Sequence, residues 1–161
     1  MQSHYMTSYS TDAPIKVFVS YSHKDEALKN ELYDQLASLK RSGLIQPWQD
    51  RDLEAGSEWN EEIAAQLEAA GIVLLLVSPG FIASEYCFDK EMQRAMARHE
   101  AGAARVIPVI MRPCDWQEMP FGKLQALPRG GKAATTWDNL DEALLSVAKG
   151  IRRTVDSLRK K

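Results

Sequence analysis

Cys87 and Glu91 stand four residues apart in a stretch where Phe88, Met92, Ala95 and Met96 recur at helical spacing. Residues at that separation share one helix face, so a thiol and a carboxylate are expected side by side. A carboxylate held in a site can stabilise a developing positive charge. Asp89 is a rival acid, although its place two residues after Cys87 points it elsewhere on the helix. Cys87 near a helix N-terminus has the setting of a reactive thiol. A small buried hydrophobe is the commoner role for such a cysteine. Ser20, Tyr21, Ser22 and His23 form a second group, directly after a β-branched run. Amides and side chains at such a place can contact phosphate at a helix N-terminus. A capping role for Ser22 accounts for it equally well.

Other combinations fail on spacing. Ser22 and His23 are adjacent, adjacent residues seldom aim at each other, and the chain has no nucleophile-elbow pattern. Cys114 has no partner at metal-ligand spacing, and His4 and His99 complete no site, so no metal is expected. Asp50 and Asp52 invite comparison with phospho-accepting receiver domains. Those need an aspartate at the end of the third strand, where this chain has Val77-Ser78.

The elements that must position these groups alternate. Ile15 to Tyr21 is rich in β-branched and aromatic residues and reads as a strand. Leu28, Leu32, Leu36 and Leu39 make the stripe of a helix that Ser42-Gly43 stops. Residues 44–49 read as a short strand, placed at a sheet edge by Pro47. A charged loop, residues 50–58, leads to a helix marked by Trp59, Ile63, Leu67 and Ala70. Ile72 to Val77 is apolar without alternation, as in a strand covered on both faces. Ser84 is placed to cap the helix of Cys87 and Glu91, with Glu85 in its first turn. Val106 to Ile110 reads as a fourth strand and Ala133 to Thr136 as a short fifth. Leu140, Leu144, Val147, Ile151, Val155 and Leu158 define the last helix. The expected fold is α/β: a flavodoxin-like parallel sheet of about five strands with helices on both faces. Its ligands would lie beyond the carboxyl ends of the strands.

Composition narrows the class. A length of 161 residues suits one domain, expected over residues 14–160 after a disordered leader, residues 1–13. The abrupt charged end reads like that of a module from a longer protein. Net charge is −2, which argues against nucleic acid as the main partner. The basic cluster of Lys149, Arg152, Arg153 and Arg159 to Lys161 lies at a helix end, where cations favour the dipole. No apolar run approaches the roughly 20 residues of a membrane span, so no membrane is expected. Two cysteines make no disulfide framework and fit a reducing cytoplasm.

Four segments, in order, resemble the TIR (Toll/interleukin-1 receptor) domain family. They are Val17 to Glu26; Asp50 to Gly56, similar to the family's BB loop; Val77 to Ile82 with Ser84 to Cys87; and Arg105 to Trp116. The match covers about residues 14–158. The resemblance implies one of two roles. Many bacterial and plant TIR domains cleave NAD+ to nicotinamide and ADP-ribose or a cyclised ADP-ribose, and bacterial ones often act in antiphage defence. Animal receptor TIR domains are mostly adaptors that bind other TIR domains. A third reading is a domain that senses NAD+ or its products without turnover. In the NAD+-cleaving reading Glu91 is the catalytic carboxylate, NAD+ is substrate and no cofactor is required. Tyr21, Ser22, His23, Trp48 and Cys87 then contact substrate, Trp48 by stacking on nicotinamide. Trp59 is expected to pack in the core, and Trp116 and Trp137 receive no role. The BB loop, through Asp50, Asp52, Leu53 and Gly56, would join copies by self-association, head to tail, an arrangement that builds a filament unless it closes a ring. One departure stands out: many relatives carry the acid three residues after the cysteine, where this chain has Lys90.

Overall fold

Alternation along each strand decides which core its side chains enter. Ile15–Ser20 forms β1, Ile45–Trp48 β2, Ile72–Val77 β3 and Arg105–Ile110 β4. All pairings are parallel, in the order β2-β1-β3-β4. In this computed structural model residues 13–48 and 59–160 are described. The leader expected over residues 1–13 lies, apart from Ala13, outside them. So do the loop of residues 50–58 and its Asp50, Asp52, Leu53 and Gly56.

Every residue of β3 is buried, the outcome expected of a run with no alternation. Its odd and even side chains serve different cores. Val17, Val19, Leu74, Leu76, Ile107 and Val109 face one side, where Glu26–Arg41 (α1) and Leu140–Arg159 (α5) pack. Phe18, Val73, Leu75, Val77, Val106 and Ile110 face the other. There they meet Trp59–Ala69 (α2), Pro79–Ala83 (α3) and the long helical stretch that ends in Gln93–Glu100 (α4). The helices thus cover both faces. The leucine stripe of α1 is buried as the spacing requires. Both prolines inside strands, Pro47 and Pro108, fall on edge strands, where a missing N–H costs no ladder bond.

The fifth strand does not form. Ala134–Thr136 is a single 3-10 turn, and four strands make the sheet among the described residues. The outer edge of β4 meets one residue instead. Ile110 N donates to Leu127 O at 2.7 Å, and Leu127 N to Pro108 O at 2.9 Å. Pro128 follows with no N–H to offer, and Gly130 and Gly131 take φ of 78° and 71°. The chain therefore leaves the edge before a strand can grow. Among the described residues no helix is long and apolar enough to cross a membrane.

The strand order reverses between β1 and β3, so the crevice of such a sheet opens beyond the carboxyl ends of those two strands. The exit of β1 accordingly borders that crevice.

Candidate functional site

Ser20, the last residue of β1, is 1% exposed and faces the α2 and α4 side. Its Oγ donates to Oε1 of Glu91 at 2.5 Å. Glu91 is itself only 6% exposed. A carboxylate taken out of water at a sheet's carboxyl end is an unusual residue, since burial of the charged form is costly unless partners meet it. One residue further along, the Tyr21 carbonyl accepts from Cys87 Sγ at 3.3 Å. The sequence brought Cys87 and Glu91 to one helix face; the structure adds β1 as what they touch.

The helix that carries them is unusual. Ser84 Oγ accepts from Cys87 N at 3.1 Å, the expected cap. Residues Glu85–Met92 then wind as a π-helix before α4 continues as a regular one. A π segment admits an extra residue per turn and recurs at functional sites. It is the physical form the four-residue step from Cys87 to Glu91 takes here. Asp89 and Lys90 are exposed, while Glu91 and Met92 are buried. The rival acid Asp89 therefore points to solvent.

Glu91 lines a cavity of about 370 Å³ between α2 and the π-helical turn. Ile63, Ala64 and Leu67 supply its apolar wall, and Glu68, Lys90 and Arg94 its charged part. Arg94 holds Glu68 through two hydrogen bonds, Nε to Oε2 and Nη2 to Oε1, the latter 2.8 Å. The hydrogen bond from Arg94 keeps the Glu68 carboxyl below the usual carboxylate range.

The other candidates separate. Tyr21 contributes its carbonyl, but its ring turns to the α1 side. There its hydroxyl donates to Glu26 Oε1 at 3.2 Å, and Lys29 Nζ lies 5.1 Å from the ring centroid. Ser22 Oγ accepts from Lys24 N at 3.2 Å, the capping role. His23 is exposed and sets its ring edge-on to Tyr21. Trp48 stacks on Phe18, centroids 5.6 Å apart, and is not among the residues lining the Glu91 cavity. Burial first, then the carboxylates of Asp115 and Asp25, push the Cys114 thiol up, which disfavours its thiolate form. No cluster of metal-binding side chains occurs among the described residues.

One network was not anticipated. Asp25, 2% exposed, accepts from Ser78 Oγ through Oδ2 and from Arg112 Nε through Oδ1, the latter at 2.8 Å. Ser78 Oγ also accepts from Phe81 N at 3.0 Å and so caps α3. The exits of β1, β3 and β4 are thereby tied to one buried carboxylate. The sequence signal was a polar residue just past each strand, but nothing in local spacing pairs residues 87 positions apart.

Residues 17–144 match the protein family described as TIR domain. An uncharacterized protein of Sinorhizobium fredii (strain NBRC 101917 / NGR234), y4lF, is 54% identical over 136 residues, 84% of this chain. The chain spans 42% of that relative's length. Among solved structures, the TIR domain of the Toll-related receptor TRR-2 from Hydra magnipapillata superposes with a TM-score of 0.63. It shares 22% identity over 87% of this chain and 97% of its own, a likeness of fold.

Proposed function

The chain belongs to the TIR domain family, and from that premise we propose that it cleaves NAD+ at the nicotinamide–ribose bond, with Glu91 as the catalytic carboxylate. The observation that carries the reading is Glu91 itself: 6% exposed, fixed at 2.5 Å by Ser20 at the carboxyl end of β1, and lining a cavity between α2 and the π-helical turn. The C–N bond breaks with its electron pair leaving on nicotinamide, which departs neutral. The ribose carbon becomes oxocarbenium-like, and the adjacent carboxylate stabilises that charge. Water then adds and loses a proton, giving ADP-ribose; attack by a group of the same molecule gives a cyclic ADP-ribose instead. Ser20 keeps the carboxylate in one orientation, which lowers the reorganisation needed as charge develops. Loss of NAD+ would serve the effector role in bacterial antiphage defence that the family resemblance implies. The direct test is release of nicotinamide from NAD+ by concentrated protein.

Trp48 supplies a second expectation. If its ring also stacks on nicotinamide, Trp48→Ala weakens NAD+ use more than Trp116→Ala does, by about fivefold for roughly 1 kcal/mol of stacking. Steady-state kinetics on both folded variants decides this. Equal behaviour leaves Trp48 as the packing partner of Phe18 alone.

Assembly supplies a third. By resemblance, the loop of residues 50–58 in one copy packs beside the site of the next, a head-to-tail contact that propagates unless it closes a ring. The initial rate should then rise faster than linearly with protein concentration, in step with light scattering. Gly56→Pro, which restricts the loop, should remove that rise from a folded monomer. A rate strictly proportional to protein, with no scattering, rejects assembly and leaves Glu91 in place.

A further inference from the structure

We propose that Arg112 recognises phosphate on the substrate, a role that rests on the NAD+-cleaving reading and extends it. The guanidinium is held by one corner only. Its Nε donates to the buried Asp25 carboxylate at 2.8 Å, and the side chain remains 47% exposed. Its Nη groups make no hydrogen bond among the described residues. Arginine presents five N–H donors in a planar fork that matches phosphate oxygens in pairs. Anchoring the Nε end sets the plane of that fork and leaves the other end for a ligand. A strut for Asp25 alone would not need it.

The position suits a substrate of the proposed kind. Arg112 N bonds Val77 O at 3.4 Å, which places it just past the ends of β3 and β4. One short run connects it to Glu91: Ser20 holds Glu91, and Asp25 holds Arg112. Six residues reach at most about 20 Å fully extended, and this run is shorter because His23–Asp25 coils as a 3-10 turn. Glu91 and Arg112 are thus attached to the two ends of the short run that leaves β1. Lys24 adds an exposed positive charge on the same turn. It lies beside Gly80, where a β-carbon would sit 3.4 Å from the Lys24 side chain and 3.0 Å from Ser22 Oγ. One carboxylate, Glu91, and two cationic side chains, Arg112 and Lys24, are thus tied to the segment that leaves β1, and the proposal sets the ribose at the first and the phosphate at the others.

The test compares two substrates that share the scissile bond. Wild-type protein, Arg112→Gln and Arg112→Lys are assayed on NAD+ and on nicotinamide riboside, which has no phosphate. ADP-ribose binding is measured in parallel by calorimetry. Arg112→Gln should raise KM for NAD+ and weaken ADP-ribose binding by about tenfold or more, as expected for a charged hydrogen bond. Its kcat/KM on nicotinamide riboside should change by less than about twofold, and kcat on NAD+ should hold. Arg112→Lys keeps the charge without the fork and should fall between; it carries the test if the glutamine variant does not fold. An equal loss on both substrates, or an unchanged ADP-ribose affinity, overturns the assignment. If wild-type protein cleaves neither substrate, the NAD+-cleaving reading fails, while calorimetry still decides whether Arg112 binds phosphate.

Discussion

Glu91→Gln is expected to lower NAD+ cleavage by about a hundredfold or more and to leave the fold intact. The charge is what matters to the oxocarbenium-like state, and its loss costs on the order of 3 kcal/mol of transition-state stabilisation. The shape is kept. The glutamine carbonyl can still accept from Ser20 Oγ, and a neutral amide is easier to bury than a carboxylate at 6% exposure. Nicotinamide release measured chromatographically, beside a thermal melt, separates the two effects. Asp89→Asn serves as the control, because Asp89 is exposed and should change neither. Retained turnover in a folded Glu91→Gln protein removes Glu91 from the reaction.

The second large effect is on stability. Asp25→Ala is expected to cost about 2–3 kcal/mol and to lower Tm by roughly 5–10 °C. Removing the carboxylate takes the acceptor from Ser78 Oγ and from Arg112 Nε and unties three strand exits at once. The cost falls below that of a fully buried pair because Arg112 can turn to water and Ser78 keeps its bond from Phe81 N. The pair of Arg94 and Glu68 makes the contrast. Both side chains are about half exposed, so Arg94→Ala should barely move the melt. Equal small shifts for the two variants would mean that the Asp25 network does not brace the sheet.

The fold was legible where burial leaves a periodic trace. The unbroken apolar run of β3, the leucine stripe of α1 and the edge position marked by Pro47 all follow from side-chain patterning. The fifth strand failed because the β-branched pair Thr135-Thr136 lies past the end of β4, where Thr135 N donates to Met111 O at 3.1 Å and the chain turns as a 3-10 helix. Leu127 takes the β4 edge first, and Pro128 ends the pairing. The candidate site was legible in part. Cys87 and Glu91 share a helix face because spacing says so, although the π winding of Glu85–Met92 that carries them is not a property of spacing. Ser20 as the partner of Glu91 and Arg112 as the partner of Asp25 depend on how strands sit side by side. Sequence separations of 71 and 87 residues hide such contacts from local reading. Tyr21 shows the same limit from the other side: its position at the β1 exit was clear, but not that its ring faces Lys29 while its carbonyl faces Cys87.

The central claim is most directly tested by incubating concentrated wild-type protein with NAD+ and identifying the products by chromatography and mass spectrometry. Nicotinamide is expected in equal amount to the NAD+ lost, together with ADP-ribose or a cyclic isomer, and neither from Glu91→Gln. Intact NAD+ at every concentration of the folded wild-type protein would contradict the claim.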